Sequence, residues 1–487
     1  MKPFIASLKK VIIAITILCF LFNIDAGGRA GGGGGHSSSS SRSSSSSSRS
    51  SSSSSSSRNY NDNNSSSNSS NGSGSYSSSG GSISTGFVLI FCAIIFIPII
   101  YFIYAVYWNN DILRNKRVAY TMPGKPFPEG LEKEKVQNSF LAIQQAWQDR
   151  DLTNVRKWIS DGVYQRFTAQ FEIMNKLSQT NELSNIIIDD VNLAKKGVDG
   201  NYETADIAIR FSMDDSFKSE KYPVFNESFS GDTDLEYWTF IKRTDAPKDK
   251  DLYNNDSCPN CGAPFDTKMG EISRCVGCGT LTNNASYDWI LSEITQGDDY
   301  NNAEKLAQKN DILRGLTKDD ELFSIQRIED VASNVFMQIM EVFNGGDAKK
   351  LTRFADKTTV ADLLEQKATL NNLVFDRLYL NDVTLNDFTT ADEKLNLLFD
   401  LTVTYRRVDI ANKIKFVDDD FVTHNATMIL SKNLTALKTP AKETVYSYEC
   451  PNCGAPYSDT TNDACTYCDA PVSDSSNSWV LTNFECL

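Results

Sequence analysis

The heptapeptide Cys258-Pro259-Asn260-Cys261-Gly262-Ala263-Pro264 returns 192 residues later as Cys450-Pro451-Asn452-Cys453-Gly454-Ala455-Pro456. Each copy is followed by a second C-x-x-C: Cys275 and Cys278 after a gap of 13 residues, Cys465 and Cys468 after a gap of 11. Two such hairpins can place four sulfurs tetrahedrally around one Zn²⁺ at about 2.3 Å. Gly262, Gly279 and Gly454 follow second cysteines, where a tight knuckle turn favours glycine. Asp469 takes that place in the fourth knuckle, and Asp tolerates the left-handed region better than most residues. The rivals are disulfides, which need an oxidising compartment, and a redox C-x-x-C, which sits at a helix start beside a βαβ unit. The reading is two closed structural zinc ribbons, with Cys258, Cys261, Cys275, Cys278, Cys450, Cys453, Cys465 and Cys468 as ligands. The other three of the eleven cysteines, Cys19, Cys92 and Cys486, join neither set.

The repeat is longer than the ribbon. Ala146–Asp151 aligns with Val342–Asp347, and Val155 and Trp158 align with Leu351 and Phe354. Beyond the ribbons, Asp288-Trp289-Ile290-Leu291 aligns with Ser478-Trp479-Val480-Leu481. The offset drifts from 196 to 190, as short loop deletions produce. Each copy spans about 165 residues, a normal domain size.

In the first copy Val136, Phe140, Ile143 and Trp147 recur at helical spacing. A short helix is expected from Asp151, carrying Val155, Trp158 and Ile159. A third carries Val163, Phe167, Phe171 and Leu177. The second copy repeats the first stripe with Ile325, Ile328, Val331, Val335, Ile339 and Phe343. Strands are expected over 186–194, 204–211, 237–241 and 289–291. Helices followed by an antiparallel sheet give an α+β class, with each ribbon inserted between the last two strands.

The N-terminal quarter cannot join this fold. Residues 27–85 contain 31 Ser and 11 Gly among 59, which reads as a flexible coil. Before it, Lys2, Lys9 and Lys10 precede an apolar run from Val11 to Phe22 and small residues at Ala26-Gly27, the order of a secretory signal. An uncleaved anchor is the alternative. After it, Phe87–Trp108 is a run of 22 residues without charge, roughly 33 Å of helix, enough for one membrane span. Arg114, Lys116 and Arg117 follow the span, and the positive-inside rule puts residues 109–487 in the cytoplasm of a plasma-membrane protein, with the Ser/Gly tract outside.

Residues 109–487 hold 41 Lys/Arg against 60 Asp/Glu, a charge of −19. Such a balance opposes direct phosphate contact with nucleic acid and broad docking on anionic lipid. His36 and His424 are the only histidines, so a His-dependent catalytic triad is nearly excluded. No catalytic residues are assigned; Asp206 and His424 lack an identifiable acid–base partner.

Glu236-Tyr237-Trp238-Thr239-Phe240-Ile241-Lys242-Arg243 and the closing Trp289-Ile290-Leu291 resemble the E-x-W-T-F and W-x-L strands of bacterial Tim44-like proteins. These are related to the C-terminal domain of the mitochondrial inner-membrane import-motor tether. In the second copy Asn425–Leu430 stands for the first strand without its Trp, while Trp479-Val480-Leu481 keeps the last. The resemblance implies two tandem cone domains of the nuclear-transport-factor-two type, each with an apolar pocket.

The expected organisation is therefore a signal peptide at 1–26, an exported tract at 27–85, a transmembrane helix at 86–108 and a juxtamembrane linker at 109–130. Domain copy 1 covers 131–294 with its ribbon at 258–278. An acidic linker covers 295–321, and copy 2 covers 322–487 with its ribbon at 450–468. The expected function is a membrane-anchored, non-enzymatic adaptor with two structural zinc ions and a protein partner, linked to protein transport through the resemblance. A lipid, acyl or small-molecule ligand in the two pockets is the alternative.

Overall fold

The computed structural model describes residues 121–486, apart from 123, 266–272, 301–312, 314, 317, 319, 371, 412, 439–449, 451–452, 454–463 and 472–477. The expected signal peptide, Ser/Gly tract and membrane span lie outside these residues. Among the described residues, no helix is long and apolar enough to cross a membrane.

The order of elements repeats. Helix α1 (Lys133–Asp149), a 3-10 turn (Arg156–Trp158) and helix α2 (Asp161–Lys176) precede β1 (Gln179–Asp199), β2 (Tyr202–Ser219), β3 (Glu227–Arg243) and β4 (Ile290–Gln296). Helix α3 (Ile325–Phe343), a 3-10 turn (Ala348–Arg353) and helix α4 (Lys357–Leu370) precede β5 (Leu373–Ala391), β6 (Lys394–Asp409), β7 (Lys415–Phe416), β8 (Val422–Asn433) and β9 (Val480–Cys486). The first sheet runs β1-β2-β3-β4 and the second β5-β6-β8-β9, all antiparallel, with β7 paired to β6. The class is α+β with two antiparallel sheets. The helix expected from Asp151 is only a 3-10 turn. The Asp151 carboxylate accepts from the Thr153 amide (2.9 Å), and Val155 N–H bonds Leu152 O (3.1 Å), which favours a tight turn over an α-helix.

Bulges give the first strand of each sheet its bend. In β1 the register shifts at 184/187, 188/190 and 193/195; in β5 it shifts at 376/379, 380/382 and 385/387, each 192 residues on. A bulge leaves one residue unpaired and increases local twist. Asn185 and Arg377 occupy the same place in the first bulge, both at positive φ (50° and 48°). The closing strands repeat as well: Leu291 forms a parallel bridge to Ile159, and Leu481 forms one to Ala355. Ser160 N–H and Asp356 N–H donate to the Leu291 and Leu481 carbonyls at 2.9 and 3.0 Å.

The curve of the first sheet is filled. Phe140 of α1 lies 4.6 Å from Phe211 of β2 and 5.5 Å from Trp238 of β3, centroid to centroid, and all three are buried. Trp147 lies against Phe167 and Phe171 of α2, and its indole N–H reaches Asn181 at 2.6 Å. The E-x-W motif has a local cause. Glu236 and Trp238 share a face of β3, and the buried Glu236 carboxylate accepts from Trp238 Nε1 (2.9 Å) and Gln296 Nε2 (3.0 Å).

The copies share an interface of α2 against α3. Buried Arg166 donates to Ser333 Oγ (2.9 Å), Ile294 O (3.1 Å) and Glu293 (3.2 Å), and Gln326 holds the other Glu293 oxygen (3.0 Å). Asp330 of α3 accepts from Ser160 Oγ (2.5 Å) and Gly162 N–H (3.1 Å) at the start of α2. Ala169, Ile173, Leu177 and Phe225 of the first copy belong to the apolar core of the second. Where it is described, the stretch expected as an acidic linker packs too. Tyr300 stacks on Tyr237 (3.7 Å) and donates to Asp206 (2.8 Å), and Leu313 and Leu316 are buried in that same core.

Candidate metal centres

Both ribbons leave the sheet between its last two strands, as the spacing predicts. In the first, Cys258 N–H bonds Ala263 O (2.7 Å) and Gly262 N–H bonds Cys258 O (2.9 Å). The second knuckle repeats this, with Cys275 to Thr280 (2.8 Å) and Gly279 to Cys275 (2.8 Å). The last knuckle of the second ribbon does so with Cys465 to Ala470 (2.8 Å) and Asp469 to Cys465 (2.9 Å). The turn residues Gly262, Gly279 and Asp469 have φ of +75°, +73° and +57°, the left-handed region that the sequence pattern required. Gly454 lies outside the described residues.

These turns converge the thiols. All eight expected cysteines fall into two groups of four: Cys258, Cys261, Cys275 and Cys278, and Cys450, Cys453, Cys465 and Cys468. Within each group the sulfurs lie within 4.8 Å of one another. The closer pairs are Cys258–Cys278 and Cys261–Cys275 at 3.7 Å, Cys450–Cys468 at 3.4 Å and Cys453–Cys465 at 3.7 Å. Four sulfurs at about 2.3 Å from one ion lie about 3.8 Å apart, so both groups fit a tetrahedral metal ion. Four protein ligands fill a tetrahedron, so an ion held there has no position open to substrate.

The peptide frame also supplies donors to sulfur. Gly277 N–H points at Cys275 Sγ and Tyr467 N–H at Cys465 Sγ, each at 3.4 Å. The Thr280 amide and the Asn260 side chain (3.5 Å) hold the Cys278 thiol down at about 6, by favouring the thiolate. Burial pushes the Cys258 thiol up to about 12. Neither the amide donors nor the Asn260 contact is readable from ligand spacing, although Asn260 recurs in the heptapeptide as Asn452.

The first ribbon is seated on the domain. Tyr253 stacks on Trp158 (4.8 Å) and donates to Trp289 O (2.8 Å). Lys157 Nζ reaches Asn255 O (2.9 Å) and Asp256 (3.1 Å) just before Cys258. Asn283, after Cys278, donates to Asp161 at 2.9 Å. The ribbon tips face outward: Val276 and Tyr467, each inside a second C-x-x-C, are 73% and 72% exposed.

The residues weighed for catalysis have structural neighbours. Asp206 accepts from Thr239 (3.0 Å) and Tyr300, and His424 stacks on Tyr405 at 4.4 Å.

No curated protein matches the chain. Among solved structures, the crystal structure of the intermembrane space region of chloroplast protein ARC6 is 13% identical, covering 34% of this chain and 97% of that chain at a TM-score of 0.21. The family model of the Tim44-like domain matches residues 131–251, from the start of α1 through β3 and its E-x-W-T-F sequence, ending before Cys258. On this match, residues 131–251, about a quarter of the chain, are similar to a Tim44-like domain.

Proposed function

We propose that the protein is a membrane-anchored, non-enzymatic adaptor whose two cytoplasmic copies of one fold each carry a structural zinc ribbon. The observation that carries this reading is the pair of four-cysteine knuckles, each holding an apolar side chain, Val276 or Tyr467, out in solvent. Exposed apolar groups on a rigid turn suit recognition of another protein. Zinc is the metal that this all-thiolate, tetrahedral set favours. When bound, it would cross-link four segments of backbone and contribute about 10 kcal/mol or more to holding the turns in place. The Tim44-like domain supports a role linked to protein transport at a membrane. The apolar run at 87–108 and the basic residues after it support the anchor and its orientation. The charge of −19 on residues 109–487 favours a basic protein partner.

The test is photocrosslinking in living cells, with a photoreactive residue placed at Val276 or at Tyr467 of the full-length protein. A discrete protein adduct at either tip, lost when the eight ligand cysteines become Ser, supports the adaptor. Recovery of uncrosslinked protein alone from both positions overturns it.

A further inference from the structure

The interior of the first copy is apolar around Phe140, Phe211 and Trp238, and turns polar one turn further along α1. Gln144 lies between Phe140 and Trp147 on the buried face of that helix and is 1% exposed. Gln170 of α2 is 3% exposed; it stands one turn after Phe167 and next to Phe171, whose rings both lie against Trp147. Among the described residues, no hydrogen bond reaches either side-chain amide, at its nitrogen or at its oxygen. A buried amide is costly unless something bonds it.

The polar path continues towards the second copy. Trp147 Nε1 donates to Asn181 (2.6 Å), and the Asn181 amide donates to Asp215 of β2, itself buried. Asp215 acts through space on Tyr379 of β5, whose buried hydroxyl has no hydrogen-bond partner among the described residues. Arg377 stands beside it in the β5 bulge, buried and at positive φ. Its Nη2 holds Glu227, while its Nε and Nη1 are unbonded among the described residues. The Gln179 amide nitrogen donates to Asp376 (3.3 Å), and its oxygen has no hydrogen-bond partner there. The path from Gln144 to Arg377 gathers eight such buried atoms.

The charges along this path already have partners. Arg377 pairs with Glu227, Arg406 pairs with Asp376 at 2.7 Å, and Asp215 takes the Asn181 amide. An ion brought in from outside would unbalance them, and an acyl chain offers the amides nothing. The eight atoms require a small neutral group that both donates and accepts. Water has that chemistry: buried waters make about three hydrogen bonds each, and a copy of this size should hold about six. The second copy places Met340 where the first has Gln144, inside its apolar core, so the fold itself does not call for an amide there.

We propose that a chain of ordered water molecules runs inside the first copy, from the Gln144 and Gln170 amides to the Tyr379 hydroxyl and the Arg377 guanidinium of the second. The waters join the two copies through a hydrophilic interior, and that interior takes no acyl chain. The Phe217 and Phe421 rings lie over the Arg377 guanidinium at 4.1 and 5.2 Å, so the waters meet Nε and Nη1 at its rim.

The test begins with a high-resolution crystal structure of the full-length protein in a neutral detergent. The expected result is a row of waters, the first within about 3 Å of the Gln144 or Gln170 amide and the last within the same reach of Tyr379 Oη or Arg377. Amides bonded to protein groups alone would overturn the proposal, and so would an organic molecule in place of the waters, which native mass spectrometry of the same sample would register as a stoichiometric added mass. The second arm is urea unfolding of Gln144→Met and Gln170→Met. A thioether of similar size improves on an amide without partners, and the midpoint then rises. An amide bonded to water loses those bonds, and the folding equilibrium constant should fall about tenfold. A raised or unchanged midpoint in either variant overturns the proposal. The waters are read on the unmutated chain, so they decide the matter even where a methionine packs badly.

Discussion

Gly162 of the first copy packs closely against Asp330 of the second. A Cβ at this position would lie 2.2 Å from Asp330 Oδ1 and 2.8 Å from the Asp330 backbone oxygen. The carboxylate can swing away, but it then gives up its bonds from Ser160 Oγ and Gly162 N–H. Hydrogen bonds to charged groups contribute roughly 1.5–3 kcal/mol each, and part of that returns through hydration of the freed groups. The backbone oxygen cannot swing, so α3 must retreat by several tenths of an ångström. Overpacking of this kind costs about 1–3 kcal/mol. Against this, Ala is favoured over Gly in a helix by up to about 1 kcal/mol. Gly162→Ala should therefore destabilise the folded unit by about 2–4 kcal/mol. The assay is urea unfolding of the full-length protein in detergent, followed by tryptophan fluorescence. At a slope of a few kcal/mol per molar urea, the midpoint should fall by about 1 M. Gly315→Ala is the control, since its Cβ would meet nothing within 4 Å and its midpoint should hold or rise slightly. An unchanged or raised midpoint for Gly162→Ala would refute the close α2–α3 contact and the shared interface built on it.

Metal analysis of the purified protein should give two zinc ions per chain, and Cys258→Ser should leave one. Asp469→Gly removes a non-glycine residue from the left-handed region and should slow loss of metal from the second ribbon to a chelator about two- to fivefold, roughly 0.5–1 kcal/mol. Burial pushes the Asp330 carboxyl up to about 7, against the opposing pull of its Ser160 bond. The folded state then holds a proton that the unfolded chain releases near 4, so stability from this group falls as pH rises from about 4 to 7. Asp330→Asn keeps an acceptor for Ser160 and should flatten that part of the stability–pH profile.

Features governed by neighbouring residues were legible in the sequence. The C-x-x-C spacing and the Gly or Asp after each second cysteine specify a knuckle within a few bonds of backbone, and the eight cysteines gather in two groups of four that could hold a metal ion. The stripe from Val136 to Trp147 and the strand through Trp238 were equally local, because period and burial coincide there. The bulges in β1 and β5 were harder to see, although Asp190-Val191-Asn192-Leu193 and Asp382-Val383-Thr384-Leu385 mark them at the same offset.

What tertiary structure alone decided is which charges meet. Arg166, Glu293, Gln326 and Asp330 come from three separate elements, and nothing in their local sequence says that one helix from each copy will bring them together. Lys242 and Lys432 hold equivalent places in repeated strands, and a sequence read alone treats them alike. Lys432 finds Asp320 at 3.6 Å and Lys242 acts on Glu129, each from a distant segment, because a lysine's partner is chosen by distance through space and by the loss of water around it. Spacing along the chain governs turns and ligand knuckles; burial, which draws in distant segments, governs the pairing of ions.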